Sequence, residues 1–219
     1  QGVVFVGYGA GYLSTGDDNT GVGVQALNNT TTGEYNTAVG RSALVTNTTA
    51  SNNTAVGYQA AASNTTGNSI AALGRRAVYA NSTGSHITGL GANSLAANTT
   101  GTENTAVGSA SLGSNTTGNY NVAVGRSALL ASTTASQNTA VGYTAMYTNT
   151  SGVESVAVGH EALYSNTTAH TNHAFGYRAL KSNTTAAYNT AVGHSALHTN
   201  TTGQTNTAVG YNAAYSGTT

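Results

Sequence analysis

Apolar positions along the chain follow one dominant rhythm. With the valine of N-T-A-V-G as anchor, an apolar residue recurs at Val22, Val39, Val56, Leu73, Leu90, Val107, Val124, Val141, Val158, Phe175, Val192 and Val209. Every step is 17 residues, with no insertion or deletion across the twelve copies. Glycine follows the anchor in each copy, and alanine or glycine precedes it. Ten of the twelve copies carry alanine four positions on, the exceptions being Ser94 and Ser111. Next comes leucine or another apolar residue such as Val78 or Met146. The unit reads N-T-A-V-G-x-x-A-L-x-x-N-T-T-G-x-x. An earlier copy at Val6-Gly7 lies one residue out of phase.

A period of 17 is neither the heptad nor the 11-residue repeat of supercoiled helices. Asparagine, threonine and glycine are poor helix formers, and helical repeats run to about 33 residues or more. In T-A-V-G, by contrast, alternate side chains point to opposite faces of a strand, and N-T-T-G has turn chemistry. The spacing predicts an all-β fold, a parallel β-solenoid or β-roll of about 12–13 coils. Each coil is expected to hold two short strands and two turns, stacked at about 4.8 Å. One inserted residue would turn every later side chain to the wrong face, which accounts for the unbroken period. Residues 1–18 read as an imperfect first coil and 19–219 as a continuous array, together a window of something longer that opens on Gln1.

The string A-V-G-x-x-A, preceded by N-T or N-S, resembles the head repeats of trimeric autotransporter adhesins. It occurs as Ala38-Val39-Gly40-Arg41-Ser42-Ala43 and Ala123-Val124-Gly125-Arg126-Ser127-Ala128, with equivalents along nearly the whole chain. Those heads are left-handed parallel β-rolls, three chains to a head. The longer unit is similar to repeats of phage tail fibres and of large secreted bacterial fibre proteins. The resemblance implies a structural or attachment fibre that is extracellular, on a cell surface or on a virion. It also implies self-association as a homotrimer or filament, and surface carbohydrate as a partner. An adhesin or receptor-binding region of a tail fibre is the alternative to a purely structural role.

In a stacked array, equivalent positions form columns. The invariant glycines, among them Gly40, Gly57, Gly125 and Gly142, are expected where φ is positive or backbones approach closely. Three before the anchor, nine of twelve copies carry asparagine, including Asn36, Asn53 and Asn189. Stacked amides of that kind hydrogen-bond as in cross-β ladders. Eight after the anchor stand Asn47, Asn64, Asn81, Asn98, Asn115, Asn149, Asn166, Asn183 and Asn200, each in an N-x-S/T acceptor triplet for N-linked sugar. Turn chemistry explains the same triplet without sugar, and the neighbouring threonines are open to O-linked sugar. Two after the anchor, the last copies read Arg126, Tyr143, His160, Tyr177, His194, Tyr211. Planar groups at coil spacing stack into a ladder, and exposed aromatics are also sugar-binding candidates. A regular threonine row (Thr37, Thr54, Thr105, Thr139) raises ice binding, although Ala71, Val122, Val156 and His173 interrupt it.

Composition narrows the remaining chemistry. Only 5% of residues are charged, with six Lys and Arg against six Asp and Glu, so no field steers the chain toward nucleic acid. No run of about 18 apolar residues is present to insert as a membrane helix. Cysteine is absent, which removes disulfides and thiolate metal sites. His160 and His194 share a column but stand two coils, about 9.6 Å, apart, too far to share one zinc. The acids are scattered over different coils, and no serine–histidine–acid set is evident. No enzyme activity, cofactor or metal is expected. The apolar content per coil is small, and parallel in-register trimerisation would bury more of the Leu44, Leu129, Leu163 and Leu197 column.

Overall fold

The computed structural model describes residues 2–216; Gln1 and residues 217–219, part of the expected array, lie outside the described residues. The chain divides into two compact units, residues 1–109 and 110–219. Unit 1 contains β1 (Val4–Val6), β2 (Thr20–Val22), β3 (Thr37–Val39), β4 (Thr54–Val56), β5 (Ile70–Leu73), β6 (Ile87–Leu90) and β7 (Thr105–Val107). Each pairs in parallel with the next, Thr37, Ala38 and Val39 lying opposite Thr54, Ala55 and Val56. Between β1 and β2 the step is 16 residues, Val6 opposite Val22, so the pairing absorbs the phase slip seen in the sequence. Unit 2 repeats the arrangement with β8 (Val122–Val124), β9 (Thr139–Val141), β10 (Val156–Val158), β11 (His173–Phe175), β12 (Thr190–Val192) and β13 (Thr207–Val209). The described residues contain no helix. Each unit is a parallel β-solenoid of 17-residue coils.

Each coil holds one strand of three or four residues, where two were expected. The A-L segment is excluded from β geometry because residues on it have positive φ: Ser42 at 57° and Leu44 at 49°, with Asn52 at 61° further round the coil. The same three positions are left-handed in coil after coil, even at the β-branched Val78 (φ 52°). Residues of positive φ, set two apart around Ala43, swing the N–H groups between neighbours. The Ser42 N–H donates to Val24 in the preceding coil, whereas the Leu44 N–H donates to Ala60 in the following one. The ladder therefore continues around the coil without a second strand. A left-handed L-residue costs roughly 1–2 kcal/mol, and burying a leucine returns about 1.5–3 kcal/mol. The two nearly cancel at Leu44, so the hydrogen-bond ladders and coil-on-coil stacking must supply much of the net stability.

The interior is narrow. Ala38 and Ala43 are fully buried, as are Leu44, Leu129 and Leu163, with Leu197 only 2% exposed. This removes the premise that trimerisation would bury the leucine column, because a single chain already does so. The apolar surface left outside belongs to the anchors: strand alternation turns Ala38 inward and Val39 outward, leaving Val39 37% and Phe175 40% exposed. Flat apposition of coils also explains the glycine column. Gly40 has φ of 131°, and a Cβ there would stand 2.5 Å from the Gly57 carbonyl oxygen. Both expected reasons for glycine, positive φ and close approach, act at once.

Candidate functional site

Inside the coils the two asparagine columns meet. The Asn36 Nδ2 donates to the Ala50 carbonyl at 2.9 Å, and the Asn47 Nδ2 donates to the same oxygen at 3.0 Å. Asn53 and Asn64 likewise converge on the Gly67 carbonyl, and Asn138 and Asn149 on that of Gly152. In these coils one turn carbonyl ties both columns together. Each column also runs between coils: Asn19 Oδ1 accepts from both the N–H and the Nδ2 of Asn36, and Asn47 Oδ1 accepts from Asn64 Nδ2. Asn189 continues the first column, its N–H donating to Asn172 Oδ1.

The same columns include the candidate acceptor asparagines. Asn47, Asn64, Asn81, Asn98, Asn115, Asn149, Asn166, Asn183 and Asn200 are all fully buried. The nitrogen that would carry a sugar donates instead to the backbone carbonyl three residues further along the turn, as Asn81 does to Gly84 and Asn200 to Gly203. A glycan on any of them would have to replace those bonds and the next coil's backbone. The triplet N-x-T is turn chemistry in the folded chain.

Outside, unit 2 carries a ladder of rings. Tyr143, His160, Tyr177 and His194 stack successively with centroids 4.8–5.2 Å apart and planes within 22°. Tyr211 continues the row, tilted by 30° from His194, and the Arg126 guanidinium caps the other end 5.9 Å from the Tyr143 ring. Because each inner ring covers its neighbour's face, the ladder offers edges rather than open faces, and stacking on a sugar needs a face. Tyr177 stands between His160 and His194, 5.2 Å from the one and 4.8 Å from the other.

A second ladder, four residues further round the coil, was missed in the sequence. Tyr147 stacks on Tyr164 at 5.2 Å and His198 on Tyr215 at 4.8 Å, both nearly parallel. Lys181 occupies the same column between them, its Nζ 5.9 Å from the Tyr164 ring. The signal was the same 17-residue recurrence, read at a position occupied by unlike residues. Between the ladders, Glu161 accepts from Arg178 Nε at 2.7 Å and from Lys181 Nζ at 2.8 Å. The Lys181 hydrogen bond, reinforced by Arg178 and opposed by burial, holds the Glu161 carboxyl below its usual range. Burial, with Lys181 and Arg178 nearby, pushes the His198 imidazole below its ordinary value.

Unit 1 has a shallow cavity of about 350 Å³ lined by Tyr8, Gly9, Tyr12, Gln25 and Asn28. It lies beside the glycine-rich Gly7–Gly11 stretch, and none of its lining side chains is cationic. On the strands of both units the outward positions are the threonine and anchor columns. The threonine row is interrupted where the sequence placed the breaks, at Ala71, Val122, Val156 and His173. Comparison with protein-family models, with curated proteins and with solved structures finds no match to this chain.

Proposed function

We propose that the chain is a structural segment of an extracellular fibre, of the kind that holds an attachment surface away from a cell or virion. The observation that carries this reading is the way each coil is bonded. From β2 onward within each unit its strand is paired with the strands of the neighbouring coils at a 17-residue step, and asparagine amides such as Asn47 and Asn64 bond across the same step. A unit bonded only to its neighbours can be added or removed without changing any other contact, so length is the property such an array sets. The resemblance to adhesin-head and tail-fibre repeats supports the same reading.

Copies of the chain are proposed to associate laterally through the outward strand positions rather than the leucine column. Val39, Val56 and Leu73 in unit 1, and Val158, Phe175 and Val192 in unit 2, are exposed on strands that carry no Asp, Glu, Lys or Arg. A parallel homotrimer is the assembly proposed, with an uncharged face meeting an equally uncharged one.

Removing three whole 17-residue coils from the native fibre tests the structural reading. The expected result is a fibre changed in nothing but length, seen by electron microscopy, with attachment retained at a shorter reach. Complete loss of attachment on removing any three coils, with filaments still formed, would assign a binding site to the array and overturn the structural role. Light scattering of the Val39→Asp/Val56→Asp variant tests the lateral face. Dissociation to single chains is expected, and an unchanged assembly would rule that face out.

A further inference from the structure

Among exposed positions, one column does not drift. Ten residues after each anchor, from Thr32 to Thr202, every coil carries a hydroxyl, threonine in all cases except Ser151. All eleven of these residues are exposed. Other outward columns change freely: two after the anchor unit 1 reads Val24, Arg41, Tyr58, Arg75, Ala92, Ser109. The near-constant columns elsewhere have a structural reason on the page, close approach for Gly40 and paired amides for Asn47 and Asn64.

The preceding threonine column also has one. The Thr48 hydroxyl donates to the Thr65 carbonyl at 3.0 Å, and the Thr65 hydroxyl to that of Ser82 at 2.9 Å. Thr49 and Thr66, one residue on, make no such bond through their hydroxyls. A bend that required only a β-branched side chain would accept valine and reject Ser151. What the column keeps is the hydroxyl itself, facing solvent.

We propose that this row is a column of O-linked sugar attachment sites. In the transfer, the threonine Oγ attacks the anomeric carbon of a nucleotide-activated sugar supplied with its transferase. The Oγ–C1 bond forms while the bond from C1 to the diphosphate oxygen breaks. The nucleoside diphosphate leaves with that electron pair, and the hydroxyl proton passes to a base on the transferase. Sugar in this row would hydrate a chain that has only 5% charged residues, and it displaces no protein hydrogen bond, unlike sugar on the buried asparagines.

Protein isolated from its own organism should carry O-linked sugar on Thr49, Thr66 and Thr117, located by electron-transfer fragmentation, and none on Thr48, Thr65 or Asn47. Bare hydroxyls throughout this row in native protein would overturn the proposal, as would equal sugar on the two threonine columns. Unmodified recombinant chain gives a second measurement. Thr49→Ala/Thr66→Ala should leave the unfolding midpoint unchanged, whereas Thr48→Ala/Thr65→Ala should lower it. A drop of equal size for both pairs would make the exposed row a structural device and refute the assignment.

Discussion

Units 1 and 2 share their inner columns and differ in their outer ones. Leu44 and Leu163 occupy the same buried, left-handed place, and Asn53 and Asn138 make the same three contacts to a neighbouring amide, a turn carbonyl and the next coil's N–H. Outward, Tyr58 of unit 1 falls between Arg41 and Arg75 in its column, whereas Tyr177 of unit 2 is stacked between two imidazoles. The difference separates two kinds of constraint. Inner positions face another coil at fixed distance and tolerate only a narrow set of residues, as Val78 and Met146 show in the leucine column. Outer positions face solvent and are free to acquire local chemistry, as unit 2 has done with its rings and its Glu161 cluster.

Breaking the shared interior should therefore cost the same in either unit, and the glycine column should give the largest loss. Gly57→Ala places a Cβ 2.5 Å from the Gly74 carbonyl oxygen, and Gly142→Ala places one against the Gly159 carbonyl. Strain at a φ reserved for glycine adds to that clash, so each variant should lose roughly 3 kcal/mol or more. Urea unfolding followed by circular dichroism measures both. A unit that absorbed its substitution with no loss would show that its coils are spaced further apart than their partners.

Asn53→Ala and Asn138→Ala come next. Each leaves a buried N–H without its acceptor, Ile70 in the first case and Ser155 in the second, while the turn carbonyl keeps its bond from Asn64 or Asn149. One orphaned buried donor costs about 1–3 kcal/mol, and the two variants should agree within the error of the melt. A loss confined to one unit would mean that the amide ladders are not equivalent.

These inner columns were legible in the sequence because identity at a fixed step is its own signal. The constant glycine, alanine and asparagine positions announced close approach, a thin interior and an amide ladder. What stayed hidden was the handedness of single residues. Leucine, valine and methionine disfavour positive φ, so nothing in A-L marked Leu44, Val78 or Met146 as left-handed, and a second strand was expected there. Burial was equally hidden. The anchor valine and the following leucine are alike in hydropathy, but strand alternation turns the valine out and the coil's curvature turns the leucine in. The N-T-T triplet left two readings open for a related reason: acceptor triplet and turn share a spelling, and only the path of the backbone shows that Asn47 points inward.

The outer ladder should yield a smaller and one-sided effect. Tyr177→Ala removes two ring contacts at once, and aromatic pairs are worth about 0.5–1.5 kcal/mol each beyond burial. With its partly exposed setting, the loss should be about 1 kcal/mol, and Tyr58→Ala should lose less. Equal losses in thermal melts would mean that ring stacking contributes nothing beyond the area it covers.

Acid should separate the units most gently. In the folded chain the His198 imidazole lies below its ordinary value of 6.5, because burial first, and then Lys181 and Arg178, disfavour its charged form. The unfolded chain therefore binds that proton more tightly, and stability falls as pH drops from above about 6.5 toward the lower folded value. Glu161 acts in the same direction at lower pH. Its folded value is depressed, chiefly by the Lys181 hydrogen bond, so its contribution is present above its ordinary 4.5 and lost as pH falls through the folded value. Partial exposure of the ion cluster keeps its share small. Amide hydrogen exchange, corrected for the intrinsic rate, reads this locally: Leu163 and Leu180 N–H groups report on unit 2, and those of Leu44 and Ala61 on unit 1. Protection at Leu180 should weaken between about pH 7 and 5.5 while Leu44 holds. His198→Phe keeps a ring against Tyr215 and removes the titration, so it should flatten that slope and leave the one below 4.5 to Glu161. If the His198→Phe chain kept the full slope between about pH 7 and 5.5, the acid response of unit 2 would have to arise from groups other than this imidazole.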